Sequence, residues 1–317
     1  MQGNFRRRTV ESLIDKKEKF VIDGSMSTLL ERMGADIKDP LWTAKVLLER
    51  PLLVKQVHLN YFRAGADCGI TCSYQATIPG FINKGLTKEQ AEDVIRRSVA
   101  LFLEVRQQWW DEEGAKQGRE WPLCLASCGP YGAYLCDGSE YRGHYGISEK
   151  ELYDFHVSRA QLLWESGADM LLFETQPSLE ETLIEADIAS ELEAPCWISY
   201  SCCDGEHTCE GQDIAECARL LAKKPSVRVI GVNCTAPQYI EPLILRLKGA
   251  CDLPIAVYPN SGKVYDPESK TWVGNGDPQV FGKNAKRWYE IGAAAVGGCC
   301  TTGPEHIHAV RGALSSI

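Results

Sequence analysis

The sequence predicts a (β/α)8 TIM barrel that forms a single domain over residues 1–317. Short β-branched or apolar runs alternate with longer segments of helical periodicity, and there are eight of each. No Pro/Ser-rich linker divides the chain into two units. A doubly wound sheet is the alternative, but eight near-equal units without a change of pattern favour closure of the sheet into a barrel.

The predicted strands and helices follow one another in strict alternation. Two helices begin with a capping-box pattern, in which a hydroxyl precedes a carboxyl or amide group by three residues: Thr87 with Gln90, and Ser148 with Glu151. The strands are expected at 19–24, 68–74, 123–129, 170–175, 196–202, 227–234, 254–260 and 293–300. The main helical segments are expected at 45–64, 87–109, 148–166, 178–192, 212–222, 238–248, 279–291 and 304–314.

Three predicted helices end in a similar short sequence motif. In each, a glycine (Gly65, Gly167 or Gly292) lies just past the helix, and a strand begins immediately after it. Glycine suits a left-handed helix cap because it has no Cβ. The apolar residues that follow are typical of a buried parallel strand. This repeated helix–glycine–strand junction supports the barrel.

Composition and charge exclude several classes of protein. The chain is 44% hydrophobic and 24% charged, which excludes a disordered chain or a coiled coil. Its formal net charge of −9 argues against nucleic acid as a partner. No apolar run approaches the roughly 18 residues of a membrane helix, so no membrane association is expected.

The chain has 14 cysteines, many for a protein without a secretory signal pattern. The basic cluster Arg6, Arg7 and Arg8 suggests a mitochondrial transit peptide, but Glu11 and Asp15 follow closely and argue against it. We therefore expect a cytoplasmic protein whose thiols are free or bound to metal.

Barrel enzymes place their functional residues at the carboxyl ends of the strands. Nearly every predicted strand ends in polar or reactive residues, more than a purely structural barrel needs. The segment 130–146, rich in Tyr and Gly, is the only long insertion expected at this rim. We interpret it as a loop without regular structure that covers the mouth of the barrel.

Cys234 ends the sixth strand, and the pair Cys299 and Cys300 ends the eighth. Three thiolates on one rim would suit zinc and leave its fourth position open, as in catalytic sites. Gly297 and Gly298 are expected to let the backbone bend so that both vicinal cysteines reach one point. The simpler interpretation is that these cysteines are small buried hydrophobic residues.

A second group of soft ligands follows the fifth strand. Cys202, Cys203, His207 and Cys209 lie within eight residues and could also hold a metal ion. Their spacing matches no standard structural zinc motif. The site at Cys234, Cys299 and Cys300 is therefore the preferred hypothesis.

Several motifs lie at or beside the predicted strand ends: 23–26 (DGSM), 71–75 (TCSYQ), 129–134, 137–143, 174–175 (ET), 231–234 (GVNC), 258–262 (YPNSG) and 297–301 (GGCCT). Together they resemble the motifs of the homocysteine S-methyltransferase family, and the resemblance covers essentially the whole chain. The segments 129–134 and 137–143 look like the branch that uses S-methylmethionine or S-adenosylmethionine as methyl donor.

The resemblance implies that one zinc ion per chain is bound by Cys234, Cys299 and Cys300. It also implies that the zinc-activated homocysteine thiolate attacks the sulfonium methyl group in line, which forms methionine. The expected substrate-binding residues are Asp23, the backbone N–H groups at Gly24 and Ser25, Glu174, Tyr74 and Asn260. Among these, the carboxylates would accept from the α-ammonium and the free N–H groups would receive the α-carboxylate.

The donor cation is expected to rest on aromatic faces of Trp42, Tyr131, Tyr134 or Tyr141. S-methylmethionine is the preferred donor because it needs no adenosine pocket, and the protein is expected to be a monomer or weak homo-oligomer. Two other functions stay open from the residues: a zinc hydrolase, disfavoured by an all-thiolate ligand set, and a zinc store or redox sensor.

Overall fold

Eight parallel strands surround a common axis in the computed structural model, which describes residues 18–266, 271–274 and 276–317. These strands are β1 Phe20–Val21, β2 Cys68–Ile70, β3 Leu123–Cys128, β4 Met170–Gln176, β5 Cys196–Tyr200, β6 Val227–Asn233, β7 Ile255–Tyr258 and β10 Ala293–Val296; an antiparallel hairpin, β8 Val264–Asp266 with β9 Thr271–Val273, lies between β7 and β10. Around the barrel the strands follow the order β1-β10-β7-β6-β5-β4-β3-β2, which confirms the barrel and excludes the doubly wound sheet.

Asp67 completes the barrel between β1 and β2. Its backbone N–H donates to the Val21 carbonyl at 2.8 Å, and its Oδ2 accepts from the Val21 N–H at 2.9 Å. A side chain thus supplies one of the hydrogen bonds that a longer strand would supply from its backbone. Strands as short as β1 can therefore close the ring.

The helices cover the outside of the barrel, and both predicted capping boxes are present at Thr87 and Ser148. The α-helices are α1 Met26–Arg32, α2 Thr43–Glu49, α3 Pro51–Ala64, α4 Ile78–Asn83, α5 Lys88–Trp109, α6 Tyr131–Leu135, α7 Glu149–Glu165, α8 Leu179–Glu191, α9 Ile214–Leu221, α10 Ile240–Ala250, α11 Pro278–Ile291 and α12 Pro304–Leu314. A π-helical turn covers Trp110–Gly114, and short 3₁₀ turns cover Ser139–Tyr141 and Pro237–Tyr239.

Three expectations about the elements are wrong. The segment 45–64 is two helices, because Pro51 begins a new helix and cannot continue the previous one. Segment 130–146 contains α6 and a 3₁₀ turn rather than being irregular throughout. It is also not the only long insertion at the rim, since the β8–β9 hairpin follows β7.

Apolar and aromatic side chains line the barrel interior. Phe20, Trp197 and Tyr258 pack edge to face along it, with ring centroids 6.5 and 5.9 Å apart. A larger apolar core lies between the strands and the helices. One cavity of about 550 Å³ opens at the amino ends of the strands, and another opens at the carboxyl ends, where the sequence predicts the site.

Two features of the chain bear on its location. The segment with Arg6, Arg7 and Arg8, on which the transit-peptide alternative depends, lies outside the described residues. Among the helices that are described, none combines the length and apolar character needed to cross a membrane.

Candidate active site

Three cysteine sulfurs converge at the carboxyl-terminal rim of the barrel. The Sγ atoms of Cys234, Cys299 and Cys300 all lie within 4.8 Å of one another, as the preferred metal-site hypothesis requires. Cys234 Sγ is 3.8 Å from Cys300 Sγ, and Cys234 and Cys299 form a disulfide. The expectation that every thiol is free or metal-bound is wrong for this pair. Their Cα atoms are 5.5 Å apart, a separation that suits a disulfide and also brings both thiolates to one ion.

The local backbone explains how the cysteines meet. Cys234 has a left-handed φ of 47°, which is costly for a residue with a side chain and turns it away from the β6 direction. A Cβ on Gly297 would lie 2.5 Å from Ile22 Cβ, and one on Gly298 would overlap Thr302 Oγ1. Neither glycine has a positive φ. Both glycines are needed for space, Gly297 against Ile22 just after β1 and Gly298 against Thr302 in the turn after the cysteines. Their role in bending the backbone stays a prediction.

The ligand set fits a soft metal ion. Burial raises the pKa of the Cys300 thiol to about 12, so this sulfur is protonated at neutral pH unless a cation compensates its charge. Thiolates are the ligands that zinc and other soft ions prefer, and binding one ion would supply that compensation. Three protein sulfurs also leave a position for a substrate atom.

A cavity of about 340 Å³ opens above the sulfurs. Four of the predicted substrate residues line it together with the three cysteines: Gly24, Ser25, Tyr74 and Glu174. Asp23 and Asn260 do not line it. Asp23 is buried behind the wall, where its Oδ2 accepts from the Ile70 N–H at 2.9 Å and its Oδ1 has no partner among the described residues. Asn260 donates its N–H to the Thr235 carbonyl at 3.1 Å, beside the Cys234 turn.

Glu174 presents a buried carboxyl group to the cavity. Glu174 lies on β4 and is 6% exposed. Its Oε1 accepts a hydrogen bond from Ser127 Oγ. Burial raises the pKa of Glu174 to about 7, an effect that exceeds the lowering by its hydrogen bonds. The carboxyl group is therefore poised to ionise when a cationic group arrives beside it.

Ser25 departs from the predicted arrangement. Its N–H, expected to be free for a carboxylate, donates to Thr302 Oγ1 at 3.2 Å. Its hydroxyl caps α1 by accepting from the Thr28 N–H at 3.2 Å. The reason is that residues 26–32 form a helix with Ser25 as its N-cap. The sequence analysis did not predict this short helix. The next two residues, Met26 and Ser27, also line the cavity.

Two of the four predicted aromatic residues line the cavity. Trp42 and Tyr141 do so, and Trp42 packs edge to face on Tyr74 with ring centroids 5.8 Å apart. Tyr131 and Tyr134 instead pack against Phe155, at 5.0 and 5.6 Å between centroids, and hold α6 on α7. These two rings do not line the cavity, contrary to the expectation that they contact the donor.

Some cavity residues were not identified from the sequence. Glu140 belongs to the 137–143 motif, but the motif alone indicates no role for it. Thr175 has a left-handed φ of 61°, which no sequence pattern predicts. The other cavity residues without a predicted role are Asp39, Thr43, Ile70, Thr71, Cys72, Gln75, Cys136, Gly138 and Tyr258, together with Gly298, whose predicted role was structural.

The alternative cysteine cluster is not brought together as a metal site. Cys202 pairs with Thr208 as a short antiparallel bridge, and His207 Nδ1 lies 3.0 Å from Asp204 Oδ2. Among the residues the structure describes, the groups with converging metal-ligand atoms are the three rim cysteines and a buried set on α7 and α8, His156, Glu181 and Glu185.

This buried set is a structural brace rather than a metal site. Arg159 donates to His156 Nδ1 at 3.0 Å, so the neutral ring carries its proton on Nε2 and donates it to Glu181 Oε1 at 2.8 Å. Arg159 also donates to the Gly129 carbonyl at 2.6 Å and Glu181 accepts from the Tyr131 N–H at 2.6 Å. A guanidinium among the ligands replaces the charge that a metal ion would supply.

The barrel, the three rim sulfurs that could hold a metal ion and the buried carboxyl beside them are together typical of an enzyme active site. The homocysteine S-methyltransferase family model matches residues 20–314. Homocysteine S-methyltransferase YbgG of Bacillus subtilis is 46% identical over 309 residues, which cover 97% of this chain and 98% of the relative. Homocysteine S-methyltransferase 1 of Zea mays is 46% identical, with 92% of each chain covered.

A solved structure agrees with these relatives. The metallated form of the homocysteine methyltransferase MmuM from Escherichia coli has a TM-score of 0.85 and 38% sequence identity, and the match covers 96% of this chain and 99% of that one. An oxidized form of MmuM is also similar, with a TM-score of 0.86. The chain belongs to the homocysteine S-methyltransferase family, and it is a methyltransferase that acts on homocysteine.

Proposed function

We propose that the protein transfers a methyl group from a sulfonium donor, S-methylmethionine or S-adenosylmethionine, to the thiol of homocysteine and so forms methionine, with one zinc ion per chain. The observation that carries the proposal is the convergence of Cys234, Cys299 and Cys300 within 4.8 Å beneath a cavity that also holds a buried carboxyl group. The names of the relatives support homocysteine as the methyl acceptor.

In the proposed site Cys234, Cys299 and Cys300 hold the zinc ion as thiolates. A bound zinc ion supplies one piece of chemistry, the lowering of a thiol pKa that is ordinarily about 8.5, so that the sulfur is a nucleophile at neutral pH. The cysteines are held in place by the turn at Cys234 and by the close contact of β10 with β1. Because zinc ligation needs reduced cysteines, we propose a reducing, cytoplasmic location.

Homocysteine is proposed to bind with its α-ammonium group on Glu174, whose buried carboxyl faces the cavity. Gly24, Ser25 and Tyr74 line the same space and would surround the rest of the amino acid. Asp23 and Asn260 would act from behind this wall, by supporting the residues that line it. These contacts would fix the direction of the thiol before the donor arrives, which is where positioning contributes to rate.

The donor is proposed to bind on the side formed by Trp42 and Tyr141, whose rings suit a sulfonium cation. In the reaction the homocysteine sulfur forms a bond to the methyl carbon as the donor's carbon–sulfur bond breaks, and the electron pair leaves with the donor sulfur. A cavity of about 340 Å³ lies near the small end of the range for ligand sites, which favours S-methylmethionine over a donor with adenosine.

The test is a set of steady-state assays on purified, reduced protein with measured zinc content. We expect methionine from homocysteine with S-methylmethionine, a smaller rate with S-adenosylmethionine and little with betaine. Turnover with betaine and with neither sulfonium would contradict the donor assignment. Zinc without any methyl transfer would favour a zinc store, and hydrolysis of a substrate without methyl transfer would favour a zinc hydrolase. Sedimentation of the same sample tests the proposed single-domain monomer or weak homo-oligomer.

A further inference from the structure

Glu140 is a cavity carboxylate with no assigned partner. It lies in the 3₁₀ turn Ser139–Tyr141, within the segment 130–146 that covers the barrel mouth, which we call the lid. It lines the same cavity as Cys234 and Cys300. Its Oε2 is buried and has no hydrogen-bond partner among the described residues. A buried carboxylate oxygen without a partner is costly, so its position calls for a ligand.

The other carboxyl groups of the cavity wall each have a partner in the protein, which is a cation only for Asp39. Asp39 forms an ion pair with Lys84 at 2.7 Å, and Glu174 accepts from Ser127. Among the described residues that line the cavity there is no Lys, Arg or His. The wall is therefore acidic without an internal cation, which favours a positively charged ligand.

Arg142, the nearest arginine of the lid, forms no ion pair with Glu140. Arg142 donates to the Asp137 carbonyl at 3.2 Å and to Ser139 Oγ at 3.3 Å, and its side chain is 64% exposed. Burial raises the pKa of Glu140, and this effect outweighs the opposing charge of Arg142. A cationic group from a ligand would reverse that effect.

The turn that carries Glu140 is held from three sides. Ser201 Oγ donates to the Glu140 carbonyl at 3.2 Å, and Asp137 Oδ1 accepts from the Ser139 N–H at 2.9 Å. A Cβ on Gly132 would lie 2.5 Å from the Glu140 N atom, so α6 packs directly on the turn. The carboxylate is thus preorganised at the edge of the cavity rather than carried on a free loop.

We infer that Glu140 accepts the α-ammonium group of the methyl donor and thereby selects donors that are sulfonium amino acids. The inference rests on the proposed function. Both substrates of that reaction are amino acids, and each brings one ammonium group into a cavity with two carboxyl groups that have no cationic partner. Glu174 lies deep on β4 and serves homocysteine, whereas Glu140 lies in the lid and serves the donor.

The experiment compares zinc-loaded wild-type protein with Glu140→Gln, which keeps the shape and removes the charge. Calorimetry measures binding of S-methylmethionine and of 4-(dimethylsulfonio)butanoate, which has the same sulfonium and carboxylate but lacks the amino group. We expect Glu140→Gln to weaken S-methylmethionine binding about tenfold or more, and to leave the second compound's binding unchanged. Homocysteine binding and zinc content should also be unchanged.

Glu149→Gln is the matched control, because Glu149 is exposed just after the lid and does not line the cavity. It should bind both donors as the wild type does. Equal weakening for the two compounds would overturn the inference and assign Glu140 to the sulfonium or to lid structure. No weakening for either would exclude contact with the donor. These binding results are independent of turnover, so absence of methyl transfer in the wild type would refute the proposed function and not this inference.

Discussion

Asn233 forms two hydrogen bonds with Thr175 across the rim of the barrel. Its Oδ1 accepts from the Thr175 N–H at 2.8 Å, and its Nδ2 donates to Thr175 Oγ1 at 2.7 Å. Asn233 precedes Cys234, and Thr175 follows Glu174. Both Cys234 and Thr175 have left-handed backbone conformations, which cost free energy unless the surroundings hold them. One amide side chain therefore couples the turn of Cys234, a proposed metal ligand, to the turn beside Glu174, the proposed substrate-binding carboxyl.

Asn233→Ala should disturb both turns at once. We expect a stability loss of about 1–3 kcal/mol, since the buried Thr175 N–H and hydroxyl lose their partners. We also expect homocysteine KM to rise and zinc to dissociate more readily in a chelator competition. Asn83→Ala, at an exposed helix end, is the control and should change neither property. Loss of stability without any change in KM or zinc affinity would show that the coupling is structural only.

The metal site makes a separate prediction. Replacing Cys234, Cys299 or Cys300 with Ala should remove zinc and methyl transfer together while circular dichroism shows an intact barrel, because two thiolates bind zinc much more weakly than three. Cys203→Ala, in the alternative cluster, should keep one zinc ion per chain. A triple variant of the rim cysteines that retained zinc would move the site to Cys202–Cys209.

Glu174→Gln tests the proposed contact with the homocysteine ammonium group. The amide keeps the shape but loses the charge-assisted hydrogen bond, so homocysteine should bind about tenfold more weakly or worse. Binding of 4-mercaptobutyrate, which lacks the amino group, should change little, and zinc content should stay the same. If both thiols lose equally, Glu174 supports the fold or the lid instead of the ammonium.

The raised pKa of Glu174, about 7, predicts a pH dependence of ligand binding. Only the ionised carboxylate pairs with an ammonium group, so binding must first ionise the protonated fraction that predominates below pH 7. Affinity for methionine should therefore fall as the pH drops below 7, by up to about tenfold per unit, and level off above pH 8. Methionine has no thiol proton, which separates this effect from thiol ionisation. Glu174→Gln should remove the dependence, and a similar slope in that variant would assign it to another group.

The site residues that sequence reasoning identified share one physical rule, namely that the carboxyl ends of parallel strands meet at one rim. That rule brings Cys234, Cys299, Cys300 and Glu174 together whatever the details of the loops. It does not decide the direction of a side chain within a loop. Tyr131 and Tyr141 belong to the same lid, yet the first packs on Phe155 and the second faces the cavity, and only tertiary packing distinguishes them.

Short elements were missed for a related reason. A seven-residue helix such as α1 has too few turns for a clear hydrophobic period, and its Ser25 cap is recognisable only once the helix is known. The same holds for the β8–β9 hairpin, whose strands have three residues each. The eight barrel strands, in contrast, could be recognised because they alternate with segments of helical periodicity.

The buried brace formed by Arg159, His156 and Glu181 predicts a large stability effect far from the cysteines. Glu181 has no solvent exposure, and its Oε1 accepts from both His156 and the Tyr131 N–H. Glu181→Ala would leave the Tyr131 N–H without its acceptor and remove the shorter hydrogen bond of His156 Nε2, and an unsatisfied buried group typically costs about 1–3 kcal/mol. Asp154→Ala, which breaks the exposed pair with Lys150, should cost less than about 1 kcal/mol. Urea unfolding measures the stability of both variants: the midpoint should fall strongly for Glu181→Ala with little change in slope.

Because the brace also holds the first turn of the lid, the donor KM of Glu181→Ala should rise more than its homocysteine KM. A Glu181→Ala midpoint equal to that of Asp154→Ala would mean that water or a protonation change replaces the lost carboxylate.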